Sequence, residues 1–210
     1  MTAGVLETMN FSQRLAAHFH AQVRDHAFFR IAWTNMDEIA PGVWRSNQPS
    51  PKLVRRYARM GLRAIINLRG TSSTGSYTLE EVEAARQGLP LVSHALGSRS
   101  LSRRETYLAL LDAFETVPRP FVLHCKSGAD RAGLASAFWL IHMEGVPVHE
   151  AKKMLSLRYL HVRGSKTGVL GALLDAYEAH TLREPISLRD WLAHHYDPMA
   201  ITDTFKGRRR

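Results

Sequence analysis

Apolar residues near the start of the chain recur every four positions, at Phe11, Leu15, Phe19 and Val23. That period predicts an amphipathic helix from Phe11 to Ile31 that packs onto the rest of the protein. From residue 43 the pattern changes to short apolar runs bounded by turn residues. Val43-Trp44-Arg45 follows the turn at Pro41-Gly42, Ala64 to Leu68 lies between Gly61 and Gly70, and Leu89 to His94 and Phe121 to His124 complete the set. Continuous apolar runs of this length suit buried parallel strands. Helical stretches fall between them. One is opened by Ser50 as N-cap with Pro51 at its first position and ends near Gly61; a second covers Thr78 to Gln87. A third starts at a capping-box pair, Ser102 and Glu105, and stops before Pro118. Gly133 to Met143, Val148 to Tyr159 and Thr167 to His180 follow.

Strands alternating with helices predict an α/β fold, a mostly parallel central sheet flanked by helices. The expected division is a helical extension over residues 1–35, a catalytic domain over 36–183, and a C-terminal helix with a basic tail over 184–210. Ligands of such sheets bind at the carboxyl ends of the strands. The strand Phe121 to His124 ends there in Cys125-Lys126-Ser127-Gly128-Ala129-Asp130-Arg131, and a helix of small residues follows. A short loop in that context can curl so that its backbone N–H groups converge on an anion, with the helix N-terminus as a cap. Gly128 supplies the freedom for the curl. A thiol at the base of such a nest is expected to ionise near neutral pH, and Arg131 presents a planar fork to two phosphate oxygens. A lone cysteine is as a rule an inert core residue. An inert one, however, has no need of a polar loop that ends in arginine at a helix start.

Charge and composition narrow the partners. The net charge of +9 favours anionic partners, whether phosphorylated substrates, acidic lipid headgroups or nucleic acid. The partners expected are a phosphorylated protein, lipid or inositol substrate and peripheral contact with an anionic membrane. The densest basic cluster, Lys206 and Arg208 to Arg210, reads as a frayed end. No nucleic-acid reading motif is present, and nucleic-acid binding is not expected. The 11 histidines show no metal-ligand spacing, so neither metal nor cofactor is expected. A single cysteine fits a reducing compartment. No secretory leader is expected from the N-terminal residues, and the expected location is the cytoplasm.

Cys125, five residues and then Arg131, with His124 before and Gly133 after, resembles the signature loop of the protein tyrosine phosphatase superfamily. The stretch from Val43 to Tyr177 is similar to its compact dual-specificity branch, particularly the bacterial members. Arg45 to Pro49, Ile65 to Gly70 and Leu155 to Tyr159 add to the likeness. The resemblance implies a phosphocysteine on Cys125, hydrolysed by water. It also implies phosphate binding by Arg131 and the amides of Lys126, Ser127, Gly128, Ala129, Asp130 and Arg131, with His124 orienting the thiol. Two positions depart from the family pattern. Ala132 stands where a hydroxyl residue usually assists the leaving thiolate. The loop Ala95 to Leu101 lacks the usual acid, which makes Asp130 the expected proton donor and His94 a poorer one. Lys126 suits substrates with a second anionic group. Three other readings stay open: a sulfur transferase of the rhodanese type, a weakly active or inactive phospho-ligand binding module, and a structural role for Asp130 as a loop brace.

Overall fold

The computed structural model describes residues 34–72 and 75–208. The helix expected from Phe11 to Ile31, and all but the end of the N-terminal extension, lie outside the described residues. Strands β1 (Asp37–Ala40) and β2 (Val43–Ser46) form an antiparallel hairpin about Pro41-Gly42, where Gly42 adopts φ +73°. Strands β3 (Ala64–Asn67), β4 (Leu91–Ser93) and β5 (Phe121–His124) run parallel to β2 in the order β1-β2-β5-β3-β4. The expected mostly parallel sheet is therefore present.

Register decides where the polar ends collect. Ser46 and Asn67 both lie level with His124, so the carboxyl ends of β2, β3 and β5 meet along one edge. Alternation divides the apolar residues between the two faces. Ile65 and Val122 pack with α1 (Pro51–Arg59) and α2 (Gly75–Arg86). Ala64, Ile66, Phe121 and Leu123 join the larger core, built with α3 (Arg104–Thr116) and α4 (Asp130–His142). The small residues of α4 permit close packing: a Cβ on Gly133 would lie 2.7 Å from both Leu155 Cδ2 and the Met154 carbonyl.

Ser50 caps α1 as expected, its side chain accepting from Leu53 N, with Pro51 inside the first turn. Three elements differ from the sequence reading. Helix α2 starts three residues earlier than expected, at Gly75. The capping box at Ser102 does not form: Arg103 is the N-cap of α3, and Ser102 Oγ instead accepts from Gly97 N. The helix expected over Val148 to Tyr159 breaks into α5 (Val148–Ala151) and two 3₁₀ turns, Lys152–Met154 and Leu157–Tyr159. The Met154 carbonyl accepts from the Arg45 guanidinium at 2.9 Å.

Beyond α6 (Val169–Thr181) the chain forms two helices where one was expected, α7 (Leu188–His194) and α8 (Pro198–Gly207). Leu188, Trp191, Leu192, Tyr196 and Ile201 all enter the main core. Lys206 belongs to α8 and Arg208 caps it, so this part of the basic cluster is helical and not frayed. No described helix is long and apolar enough to cross a membrane.

Candidate active site

Cys125 follows the last residue of β5 and is 2% exposed. The loop then rises to the start of α4. Gly128 and Ala129 are buried, while Lys126, Ser127, Asp130 and Arg131 reach the surface.

Four successive loop carbonyls are fastened from outside the loop. Gln48 N donates to the Lys126 carbonyl (3.2 Å) and Asn35 Nδ2 to that of Ser127 (3.2 Å). Arg45 Nη2 donates to the carbonyls of Gly128 (2.6 Å) and Ala129 (3.4 Å). In a planar trans peptide the C=O and the following N–H point in opposite directions. Carbonyls pulled outward at 126–129 therefore turn the amides of Ser127, Gly128, Ala129 and Asp130 inward, toward one centre. Gly128 holds φ +74°, and a Cβ there would stand 3.0 Å from Ser46 C and Asn47 N. Only glycine meets both demands.

Arg45 is the chief fastener. Fully buried in β2, it also donates to the Met154 carbonyl and lies 3.6 Å from the centre of the Tyr159 ring. Burial lowers its pKa to about 10, opposed by the charges of Tyr159, Cys125 and Asp37, so it is cationic at neutral pH.

Below the loop runs a chain of polar side chains. Arg69 Nη1 donates to Gln48 Oε1 (2.6 Å), and Gln48 Nε2 donates to Glu80 Oε2 (2.6 Å). Glu80 Oε1 approaches His124 Nε2 to 2.6 Å, off the line of a well-formed hydrogen bond, and both side chains are wholly buried. His124 Nδ1 lies 3.4 Å from the Cys125 carbonyl. This contact sets the imidazole at the base of the loop.

At the rim, Arg131 sits in the first turn of α4, and its buried Nε has no partner among the described residues. A buried donor left open is costly unless a ligand completes it. Asp130, the first residue of α4, is held by His161, whose Nδ1 is 2.8 Å from Asp130 Oδ1. The loop between β4 and α3 brings no carboxylate, and burial lowers the pKa of His94, which makes it a poor source of protons near neutral pH. Every residue named from the sequence between His124 and Arg131 thus lies in one strand-loop-helix unit. Sequence reasoning assigned no role to Asn35, Arg45, Gln48, Glu80 or His161. Arg45 carried a readable signal, an arginine in a strand that is otherwise buried; His161 carried none.

The tyrosine phosphatase family matches residues 18–153, well over half of the chain. A search of curated proteins gives no match. Among solved structures, TpbA of P. aeruginosa aligns with a TM-score of 0.55 at 17% identity, over 71% of this chain and 91% of that one. The core catalytic domain of the PP-IP phosphatase SIW14 of S. cerevisiae gives 0.54 at 12%, covering 73% and 96%. A putative phosphatase of Shewanella putrefaciens gives 0.53 at 15%, covering 72% and 98%. At such identities these likenesses concern the fold; the match over residues 18–153 carries the assignment, and the protein belongs to the tyrosine phosphatase family.

Proposed function

We propose that the protein hydrolyses phosphate monoesters through a phosphocysteine on Cys125. The observation that carries this reading is the outward fastening of the 126–129 carbonyls, which leaves a ring of inward amides above a buried thiol. The amides, the N-terminus of α4 and the Arg131 fork hold the three non-bridging oxygens of the phosphoryl group. The Cys125 thiolate attacks phosphorus, an S–P bond forms, and the bond to the ester oxygen breaks. Asp130 gives that oxygen its proton. Water then attacks phosphorus, Asp130 takes up a proton from it, the S–P bond breaks, and orthophosphate leaves with the thiolate restored. A thiol that must stay reduced suits the cytoplasm.

The substrate classes in view are phosphotyrosyl and phosphoseryl proteins, as in dual-specificity enzymes, phosphoinositides, and other phospholipid or inositol phosphates. TpbA has been captured with pTyr, whereas SIW14 is a PP-IP phosphatase. Lys126, beside the nucleophile, favours esters that carry a second anionic group. Phosphate release should accordingly be faster from inositol polyphosphates or phosphoinositides than from phosphotyrosyl peptides. Acid quench during turnover should trap phosphate on Cys125. Turnover with no trapped phosphoprotein, in both steady-state and single-turnover quenches, would remove the covalent step.

A second reading, a weakly active or inactive phospho-ligand binding module, is favoured by two observations. Ala132 supplies no hydroxyl after Arg131, and Asp130 is engaged by His161. Leaving-group dependence separates the two. If Asp130 is the acid, Asp130→Asn lowers hydrolysis of an alkyl phosphate by about 10²–10⁴-fold. An activated aryl phosphate, whose leaving group is stable as an anion, suffers far less. Equal losses on both would make Asp130 a loop brace.

A further inference from the structure

Three of the five most exposed large apolar side chains among the described residues fall within six positions: Leu157 (72%), Leu160 (58%) and Val162 (50%). Two of the residues between them, Tyr159 and His161, point the other way and are tied to the phosphate loop. The Tyr159 ring lies against the Arg45 guanidinium at 3.6 Å, and the Tyr159 hydroxyl donates to Asp37. Asn35 Nδ2 joins the Tyr159 carbonyl to that of Ser127, and His161 is fully buried on Asp130. The anchored side chains thus hold the exposed ones at the rim of the loop.

Leu160 sharpens the point. It adopts φ 62°, a left-handed conformation that glycine or asparagine reaches at lower cost than a branched apolar residue. Its side chain is exposed, so packing inside the described protein does not repay that strain. Cations are interleaved: Arg158 and Arg163 have side chains 73% and 70% exposed, and Lys166 is exposed as well. Arg158 pairs with Asp37 and Arg163 with Asp175, surface contacts that leave further donors on each guanidinium.

We propose that Leu157 to Lys166 docks the protein on an anionic membrane surface, the three apolar side chains entering the headgroup boundary while Arg158, Arg163 and Lys166 meet lipid phosphates. Apolar residues mixed with arginine and lysine match the chemistry of an interfacial segment, and the +9 chain charge complements an anionic leaflet. The inference does not depend on turnover at Cys125.

The test is co-sedimentation of the full chain with phosphatidylcholine vesicles, with and without added phosphatidylserine. Wild type is expected to pellet only with phosphatidylserine present. The double variant Leu157→Ser/Leu160→Asn should bind about tenfold more weakly or worse, having lost two apolar insertions. Leu182→Ser, which removes an 82% exposed leucine at the end of α6, should pellet like wild type. Leu160→Asn should melt at the wild-type temperature or higher, since it relieves strain at an exposed site. Four outcomes overturn the proposal. Wild type fails to pellet, or the double variant pellets equally, which leaves only the basic surface. Leu160→Asn melts lower, which means another part of this chain covers the leucine. The double variant turns a wild-type dimer into a monomer, which makes a second copy the occupant.

Discussion

Replacing Cys125 by serine is expected to reduce phosphate release by roughly 10⁴–10⁶-fold while leaving the fold and phosphate binding in place. The large effect follows from the proposed nucleophile: a serine hydroxyl stays protonated at neutral pH and attacks phosphorus far less readily than sulfur does. The small structural effect follows from where the loop is fastened. All four carbonyl anchors come from Asn35, Arg45 and Gln48, none from the sulfur, so the amide ring survives exchange of one atom in a nearly isosteric side chain. Single-turnover assays should therefore show no burst, equilibrium binding of a phosphate ester should persist, and chelators should not affect the wild type. Substantial activity in Cys125→Ser, or loss of wild-type activity with EDTA, would sink the mechanism.

Arg45→Met should do damage of a different kind. The substitution leaves the buried carbonyl of Gly128 and the part-buried one of Met154 without their donor, and weakens the hold on Ala129, whose carbonyl keeps a bond from Gly133 N. Each stranded carbonyl costs about 1–3 kcal/mol. Part of that is offset, because the guanidinium is itself desolvated, the same burial that lowers its pKa to about 10. A net loss of roughly 3 kcal/mol in chemical denaturation is the expected result. Affinity for inorganic phosphate should fall as well, since an untethered carbonyl at 128 can rotate and take the amide of 129 out of the ring, while the amide of 130 is held less firmly. Destabilisation with unchanged phosphate affinity would make Arg45 a core residue that happens to lie under the site.

How far the sequence could be read depended on whether the information was local. Ser50-Pro51 defined the start of α1 because cap and proline act within one turn. The loop from Cys125 to Arg131 could be placed between strand and helix because the apolar run, the glycine and the helix start are adjacent in the chain. The failures share the opposite cause. Ser102 has the right neighbours for a capping box, yet its hydroxyl is taken by Gly97 and its backbone N–H by the Tyr107 hydroxyl. Val148 to Tyr159 has helical periodicity, but the Met154 carbonyl is claimed by an arginine 109 positions away. His161 lies 31 positions from the aspartate it holds, in a segment with no regular period. Partners at such separations leave no trace in local spacing.

The sheet order has a consequence for how the protein is made. Strand β5 is the last to be synthesised, yet it lies in the middle, pairing with β2 on one side and β3 on the other. Until Phe121 to His124 leaves the ribosome, the hairpin β1-β2 and the pair β3-β4 each present an open edge, the surface on which strands of different chains join. Nascent chains that stop short of β5 are thus the ones at risk of aggregation. Long-range pairing of this kind is also slow to form. The strand that closes the sheet is also the one that Cys125 follows in the chain. Substitutions at Phe121, Val122 or Leu123 will register first as a lower yield of folded protein, before any effect on catalysis can be measured.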